Sequence, residues 1–228
     1  MTAPQSIQPT GFHLSLSSDW RIGAVSANLG DFLPTTADRA LGQPITALLG
    51  DDIVHDMRNR MALLRSEDMV EHLLRIPLSE APDRYDLSIF RDGDGFAIDA
   101  EPSEGSASVD CTATLGGMID ALSAACRIDA IADGAARQLR GLTGFDRVLV
   151  FAGRDLLGEC ARPDQDRPPA AAIDGDVAPL AISDIAAGPV EILCAVGERH
   201  TRSTLRCTLP HERAVISALQ ARAALMIP

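Results

Sequence analysis

The chain has 228 residues, enough for one large domain or two of ordinary size. Its 46% apolar and 23% charged residues read as globular, and a formal charge of −12 disfavours nucleic acid and anionic membrane surfaces as partners. Every side-chain cation other than histidine is arginine; with no lysine in the sequence, a lysine Schiff base and a phosphate-loop lysine are excluded.

The first half reads as short strands around short helices. Residues 12–16 alternate apolar and polar side chains, the pattern of a half-buried strand, and residues 21–27 predict a second strand reached through the polar turn 17–19. Pro34, Gly42, Pro44 and Gly50 punctuate a region of short helical turns. Asp51 and Asp52 form a candidate N-cap pair for a helix to about residue 65, with Ile53, Met57, Met61 and Leu64 at helical spacing. Residues 70–78 predict a strand. Residues 85–90 and 95–100 flank the hairpin turn Arg91-Asp92-Gly93-Asp94. Two strands, short helices, a helix and a three-strand meander succeed one another in the order of a PAS domain.

Residues 101–110 are small and polar and predict a linker. A single long helix is expected over about 112–142, with Leu115, Met118, Ile119, Leu122 and Cys126 as one stripe that Ile128, Ile131 and Leu139 continue. That stripe reads as core or as a dimer interface. Gly144 lies just past the helix end. Residues 147–152 and 156–161 predict paired strands, 162–177 a Pro- and Ala-rich loop, and 190–196 a buried strand. Pro210-His211-Glu212 opens a last helix.

Several stretches together resemble the bacterial phytochromes. "IQPTG" at 7–11, "VSANLGDFL" at 25–33 and "LGQPITALLG" at 41–50 are similar to the PAS domain that begins those proteins. "LTGFDRVLVF" at 142–151 and "GECARPD" at 158–164 resemble the start of their GAF domain. "AISDIAAGPVEIL" at 181–193 resembles the segment forming that domain's lasso, and residues 205–228 resemble the helix and strand after the lasso. The resemblance implies an α+β chain: a phytochrome-type PAS domain over 1–106, an antiparallel sheet with short helices, then a truncated GAF-like domain over 107–228. It makes Ile7, Gln8, Pro9, Gly11, Gly144, Asp146 and Arg147 family-motif structural positions. It also implies that the head of the chain threads the lasso. Pro9 fixes its own φ and pushes Gln8 towards extended backbone, while Gly11 is expected to allow a tight bend.

In that family biliverdin is attached through a cysteine ahead of the Gln-Pro motif, or bilin through a cysteine beside a histidine in the GAF domain. Residues 1–6 contain no cysteine, and no Cys-His dipeptide occurs. The family's Pro-Ala-Ser-Asp-Ile-Pro motif, whose Asp contacts the pyrrole nitrogens, falls in a deletion between Pro163 and Val177; Asp184 resembles it superficially. Covalent attachment is therefore not expected, and a pocket that has lost its floor and central carboxylate is expected to grip a tetrapyrrole poorly. The weak cofactor candidates are Asp184, Arg147 and Arg154, the arginines being nearest in kind to propionate-holding cations. The preferred reading of the two arginines is a surface role or an ordinary Asp146–Arg147 ion pair. The resemblance also leaves the chain short of the last GAF strands, as a fragment or a natural truncation.

The five cysteines, Cys111, Cys126, Cys160, Cys194 and Cys207, are widely spaced, and no secretory leader or bilayer-length apolar run is present. A cytoplasmic, reducing location with free thiols is expected. Cys194, His200, Cys207 and His211 offer two thiols and two imidazoles for zinc or haem, but their spacing matches no common finger, and Cys194 falls in a predicted buried strand. Trp20 is expected to anchor the first turn and His13 to lie on a strand edge or face. No nucleophile elbow, phosphate loop or zinc-protease motif occurs, so no catalysis is expected. The expected function is a phytochrome-like sensory or regulatory module acting through protein contacts, probed against two alternatives: a red-light receptor fragment holding biliverdin non-covalently, and a haem- or metal-binding sensor. A protein partner or a homodimer is the expected company.

Overall fold

A computed structural model describes residues 6–66, 69–78, 83–103, 111–163, 167–173, 179–195 and 202–227. The chain divides into two compact units. The first is built from residues 1–105, 179–208 and 223–227, the second from 106–178, 209–222 and 228.

A seven-stranded antiparallel sheet organises the first unit. Its strands are β1 (Ser6–Ile7), β2 (Phe12–Leu16), β3 (Ile22–Ser26), β4 (Val70–Ile76), β5 (Tyr85–Asp92), β6 (Gly95–Pro102) and, from far along the chain, β10 (Val190–Cys194), in the order β1-β10-β3-β2-β6-β5-β4. The helices α1 (Ala37–Ala40), α2 (Thr46–Leu49) and α3 (Asp51–Met61) come after β3. Alternation along each strand sends one set of side chains to these helices. Phe12, Leu14 and Leu16 of β2, Leu87 and Ile89 of β5, and Ile98 and Ala100 of β6 form one apolar cluster with Val54, Met57 and Met61 of α3. Tyr85 closes its rim, with Oη donating to the Phe32 carbonyl at 2.9 Å. Burial of the Tyr85 ring holds its phenol neutral well above neutral pH. The β5–β6 hairpin closes through Gly93, at φ +57°, as a two-residue turn demands. Trp20 also has positive φ and stacks between Phe96 and the Arg58 guanidinium.

β2 was expected to be half-buried, yet all five of its residues are buried. The reason lies in residues 179–208, which the sequence places in the second domain and the structure places in the first unit. β10 adds to the edge of β3, with Ile192 opposite Ser26 and Cys194 opposite Ala24, and β1 adds to β10. β9 (Leu180–Ile182), which the periodicity did not reveal, pairs with β11 (Ala224–Met226). Asp51 and Asp52, expected as caps, occupy the first turn of α3. Gly50 precedes them at φ +82°, and the two carboxylates meet the positive end of the helix instead.

In the second unit the expected single long helix is two: α4 (Cys111–Ser123) and α5 (Ile128–Thr143). Arg127 sits in extended backbone at φ −125°, ψ 141°. Asp129 accepts from the Ala130 N–H and from Arg127, fixing a new helix start there. Gly144 ends α5 in the left-handed region at φ +73°. β7 (Arg147–Ala152) and β8 (Asp155–Ala161) form a hairpin, and Gly158 lets α5 approach it. A Cβ on Gly158 would stand 2.4 Å from the Ala132 carbonyl carbon. α6 (Pro210–Ala218) starts with proline in its first turn, and the Glu212 carboxylate accepts from the Leu209 N–H at 2.7 Å. The apolar stripe expected as core or interface lies largely in solvent. Leu115, Ile119, Ile128 and Ile131 are exposed, Ile128 by 70%.

Candidate functional site

The head of the chain is built into the first unit. Ile7 pairs with Val190 of β10 on one side and with Arg206 on the other. The Gln8 N–H donates to the Leu205 carbonyl at 2.8 Å. Its side-chain amide nitrogen donates to Ala181 O at 2.8 Å and Arg206 O at 3.2 Å, and its carbonyl oxygen accepts from the Ser183 N–H at 3.3 Å. Ala181, Ser183, Leu205 and Arg206 thus hold Gln8 from several sides, and a buried amide with its donors and acceptor matched is stable where an unmatched one is costly. Pro9 supplies no N–H at the exit from this clasp. Gly11 does not adopt positive φ, so a tight bend is not what requires it. A Cβ there would stand 2.1 Å from the Ala100 carbonyl oxygen; close backbone approach is the requirement.

A second cluster lies on the sheet face opposite the helices. His13 Nδ1 is 2.6 Å from Asp99 Oδ1, both fully buried. Asp99 also accepts from Ser203 Oγ at 3.0 and 3.1 Å, from Thr204 Oγ1 at 2.6 Å, and from the Thr204 N–H. Asp99 Oδ2 accepts from the Thr204 N–H, and Oδ1 is the oxygen that faces His13 Nδ1. The His13 N–H is taken by Ser26 Oγ at 3.0 Å. Sequence reasoning left His13 as an edge or face residue and did not single out Asp99. The available signal was a polar residue flanked by apolar ones in each strand, His13 between Phe12 and Leu14, Asp99 between Ile98 and Ala100. Alternation alone assigns such residues to solvent. Next to Asp99 on the same strand, partial burial and then the Asp99 charge hold the Glu101 carboxyl above its ordinary range, against a bond from Thr10.

Among the cofactor candidates, Asp184 caps the turn after β9, with Oδ1 accepting from the Ala186 N–H at 2.9 Å. Arg147, in the second unit, donates to Glu159 Oε1 at 3.0 Å and to Pro168 O at 2.7 Å. The expected pairing of Asp146 with Arg147 is therefore not formed; Asp146 pairs with Arg162 at 2.9 Å. Asp146 lies in the bend just ahead of β7, where its backbone carbonyl also accepts from the Arg162 N–H at 2.9 Å. Arg154 is exposed at the β7–β8 turn. Ile7, Gln8, Pro9 and Gly11 gather at the clasp, whereas Gly144, Asp146 and Arg147 join α5 to β7.

Of the Cys/His set, Cys194 is exposed on β10 rather than buried as expected; β1 pairs only with Val190 and Glu191 and does not reach it. Cys207 lies beside Ser6, whose hydroxyl is 3.8 Å from its sulfur. His211 is exposed on α6, and His200 lies outside the described residues. Among the described residues no three His, Cys, Asp or Glu side chains converge as a metal site. No helix among them is long and apolar enough to cross a membrane.

Residues 1–103 match a family model described as a PAS fold. Over 97% of its length the chain is similar to the wild-type photosensory core module of a Stigmatella aurantiaca phytochrome, at a TM-score of 0.80 and 19% identity, covering 49% of that chain. It is similar to the wild-type chromophore-binding domain of a phytochrome from the same organism at a TM-score of 0.76 and 18% identity, covering 97% of this chain and 81% of that one. A mutant of the Stigmatella aurantiaca chromophore-binding domain in the Pr state gives a TM-score of 0.76 and 20% identity over the same shares, 97% and 81%. The chain spans about half the length of the photosensory core module. No curated protein matches it in sequence. The likeness is one of fold: a PAS-type first unit within a phytochrome-like photosensory architecture.

Proposed function

We propose that this chain, with the fold of a bacteriophytochrome photosensory region, is a phytochrome-like PAS–GAF sensory or regulatory module that works through protein contacts and carries no covalently bound bilin. The clasp around Gln8 carries the reading, because it joins the Gln-Pro head to Ala181, Ser183 and Arg206 within a fold similar to chromophore-binding domains. Residues 1–6 provide no thiol ahead of Gln8, and Cys194 and Cys207 have no adjacent histidine. The Arg147 guanidinium is occupied by Glu159 and the Pro168 carbonyl, which leaves it poorly placed to hold a propionate. The exposed apolar residues of α4 and α5 supply a surface for a second copy or a partner helix. The proposal includes no catalytic step.

The test is to mix the protein with biliverdin, record its spectrum, then denature it and separate chain from pigment. Pigment that leaves the polypeptide on denaturation is expected; pigment that stays with it overturns the reading. Likeness to chromophore-binding domains over 97% of the chain favours a second reading, non-covalent biliverdin binding. A stable far-red band lost on denaturation would establish that reading, and free-pigment absorbance throughout would remove it.

A further inference from the structure

We infer that residues 202–206 form a latched strap that opens from the polar face of the first sheet while the apolar face stays folded, with Asp99 as the latch. The two faces differ in kind. One packs the large apolar cluster against α1 to α3. The other presents His13, Ser15, Ser26 and Asp99, all buried. Across that second face, Arg202 lies over the Phe90 ring at 5.1 Å, Ser203 and Thr204 bond Asp99, and Leu205 joins a small cluster with Ile7, Ala24 and Ile192.

The cost of local opening is set by the apolar area and hydrogen bonds that opening breaks. For this strap the apolar contribution is confined to Leu205 in its small cluster and to Phe90 beneath Arg202, and the rest of the face it covers is polar: His13, Ser15, Ser26 and Asp99. The polar contribution is concentrated on one carboxylate. Three donor groups to Asp99 lie in the strap, the Ser203 hydroxyl, the Thr204 hydroxyl and the Thr204 N–H, and Ser203 Oγ in turn accepts from the Leu205 N–H at 3.1 Å. Strap and latch therefore let go together. Opening also removes the Leu205 and Arg206 carbonyls from Gln8, so it frees one side of the chain's head, while the other stays paired to β10.

Amide hydrogen exchange on the full chain tests this. In the wild type, peptides covering 202–206 are expected to exchange faster than those in β5 and α3; equal protection overturns the inference. In Ser203→Ala/Thr204→Val, which removes two donors and leaves the sheet untouched, exchange over 202–206 and at Gln8 is expected to rise at least tenfold with β5 and α3 unchanged. Unchanged strap exchange, or strap and sheet rising together, overturns it. Asp99→Asn is expected to act in the same direction if it folds.

Discussion

The side-chain amide of Gln8 donates to the Ala181 carbonyl at 2.8 Å across 173 residues of sequence. With its bonds to Arg206 and Ser183, it joins the head of the chain to a loop near its other end. Gln8→Ala removes the donor to the part-buried bonds with the Ala181 and Arg206 carbonyls, and is expected to cost about 1–3 kcal/mol. Urea unfolding checks the figure, and Gln8→Glu, which loses both amide donations, is expected to be no better than Ala.

Gly11→Ala drives a methyl group to 2.1 Å from the Ala100 carbonyl oxygen, and backbone has to move. A loss of about 2–3 kcal/mol is expected from overpacking of this kind. Thermal unfolding of Gly11→Ala beside Gly116→Ala, where nothing lies near the added methyl, separates close approach from a general effect of losing glycine.

Glu101 gives a pH dependence. Its carboxyl is held above the ordinary value near 4.5, first by burial and then by Asp99, so the folded chain binds that proton more tightly than the unfolded chain. Ionisation therefore opposes folding, fully above the raised value and not at all below the ordinary one. Glu101→Gln is expected to be more stable than wild type at neutral pH. The gap, under about 1 kcal/mol because the side chain reaches solvent, closes as pH falls towards 4.5. Stability curves for both proteins from pH 4 to 8 measure it; a gap that widens in acid contradicts the assignment.

The exposed residues of α4 and α5 bear on association. Ile119 is 62% exposed and Ile128 70% exposed, so charge at either position costs the monomer little. Ile119→Glu and Ile128→Glu are expected to shift the protein to monomer, and to leave the unfolding midpoint unchanged at concentrations where the wild type is also monomeric. Sedimentation velocity over a range of concentrations reads this directly; identical oligomer distributions in wild type and variants would place the contact elsewhere.

Much of the first unit was legible because its signals are local. β2 falls on its predicted residues and Gly93 marks the β5–β6 turn; in the second unit β7 does the same. The helix break at residues 124–127 was not legible, since apolar spacing continues through it. It is set by Arg127 and Asp129, whose pairing looks like any surface pair in sequence. Membership of β10 in the first sheet was hidden for a different reason: strand pairing between Cys194 and Ala24 leaves no local trace. The Asp99 cluster was hidden for the same kind of reason, because its Ser203 and Thr204 donors lie 104 and 105 residues further along the chain. The clasp residues were legible only through resemblance, because Gln8-Pro9-Thr10-Gly11 on its own reads as an ordinary turn.

Because the edge of β3 is covered by β10, translation runs from residue 26 past residue 190 before the partner strand exists. At a synthesis rate of about 5–20 residues per second, the nascent sheet carries that bare edge for roughly 8–33 seconds. During that interval it is a template for pairing with any neighbouring chain. Overexpression from a fast ribosome queue would set such half-made sheets side by side, which makes slow, cool production the natural regime for this architecture.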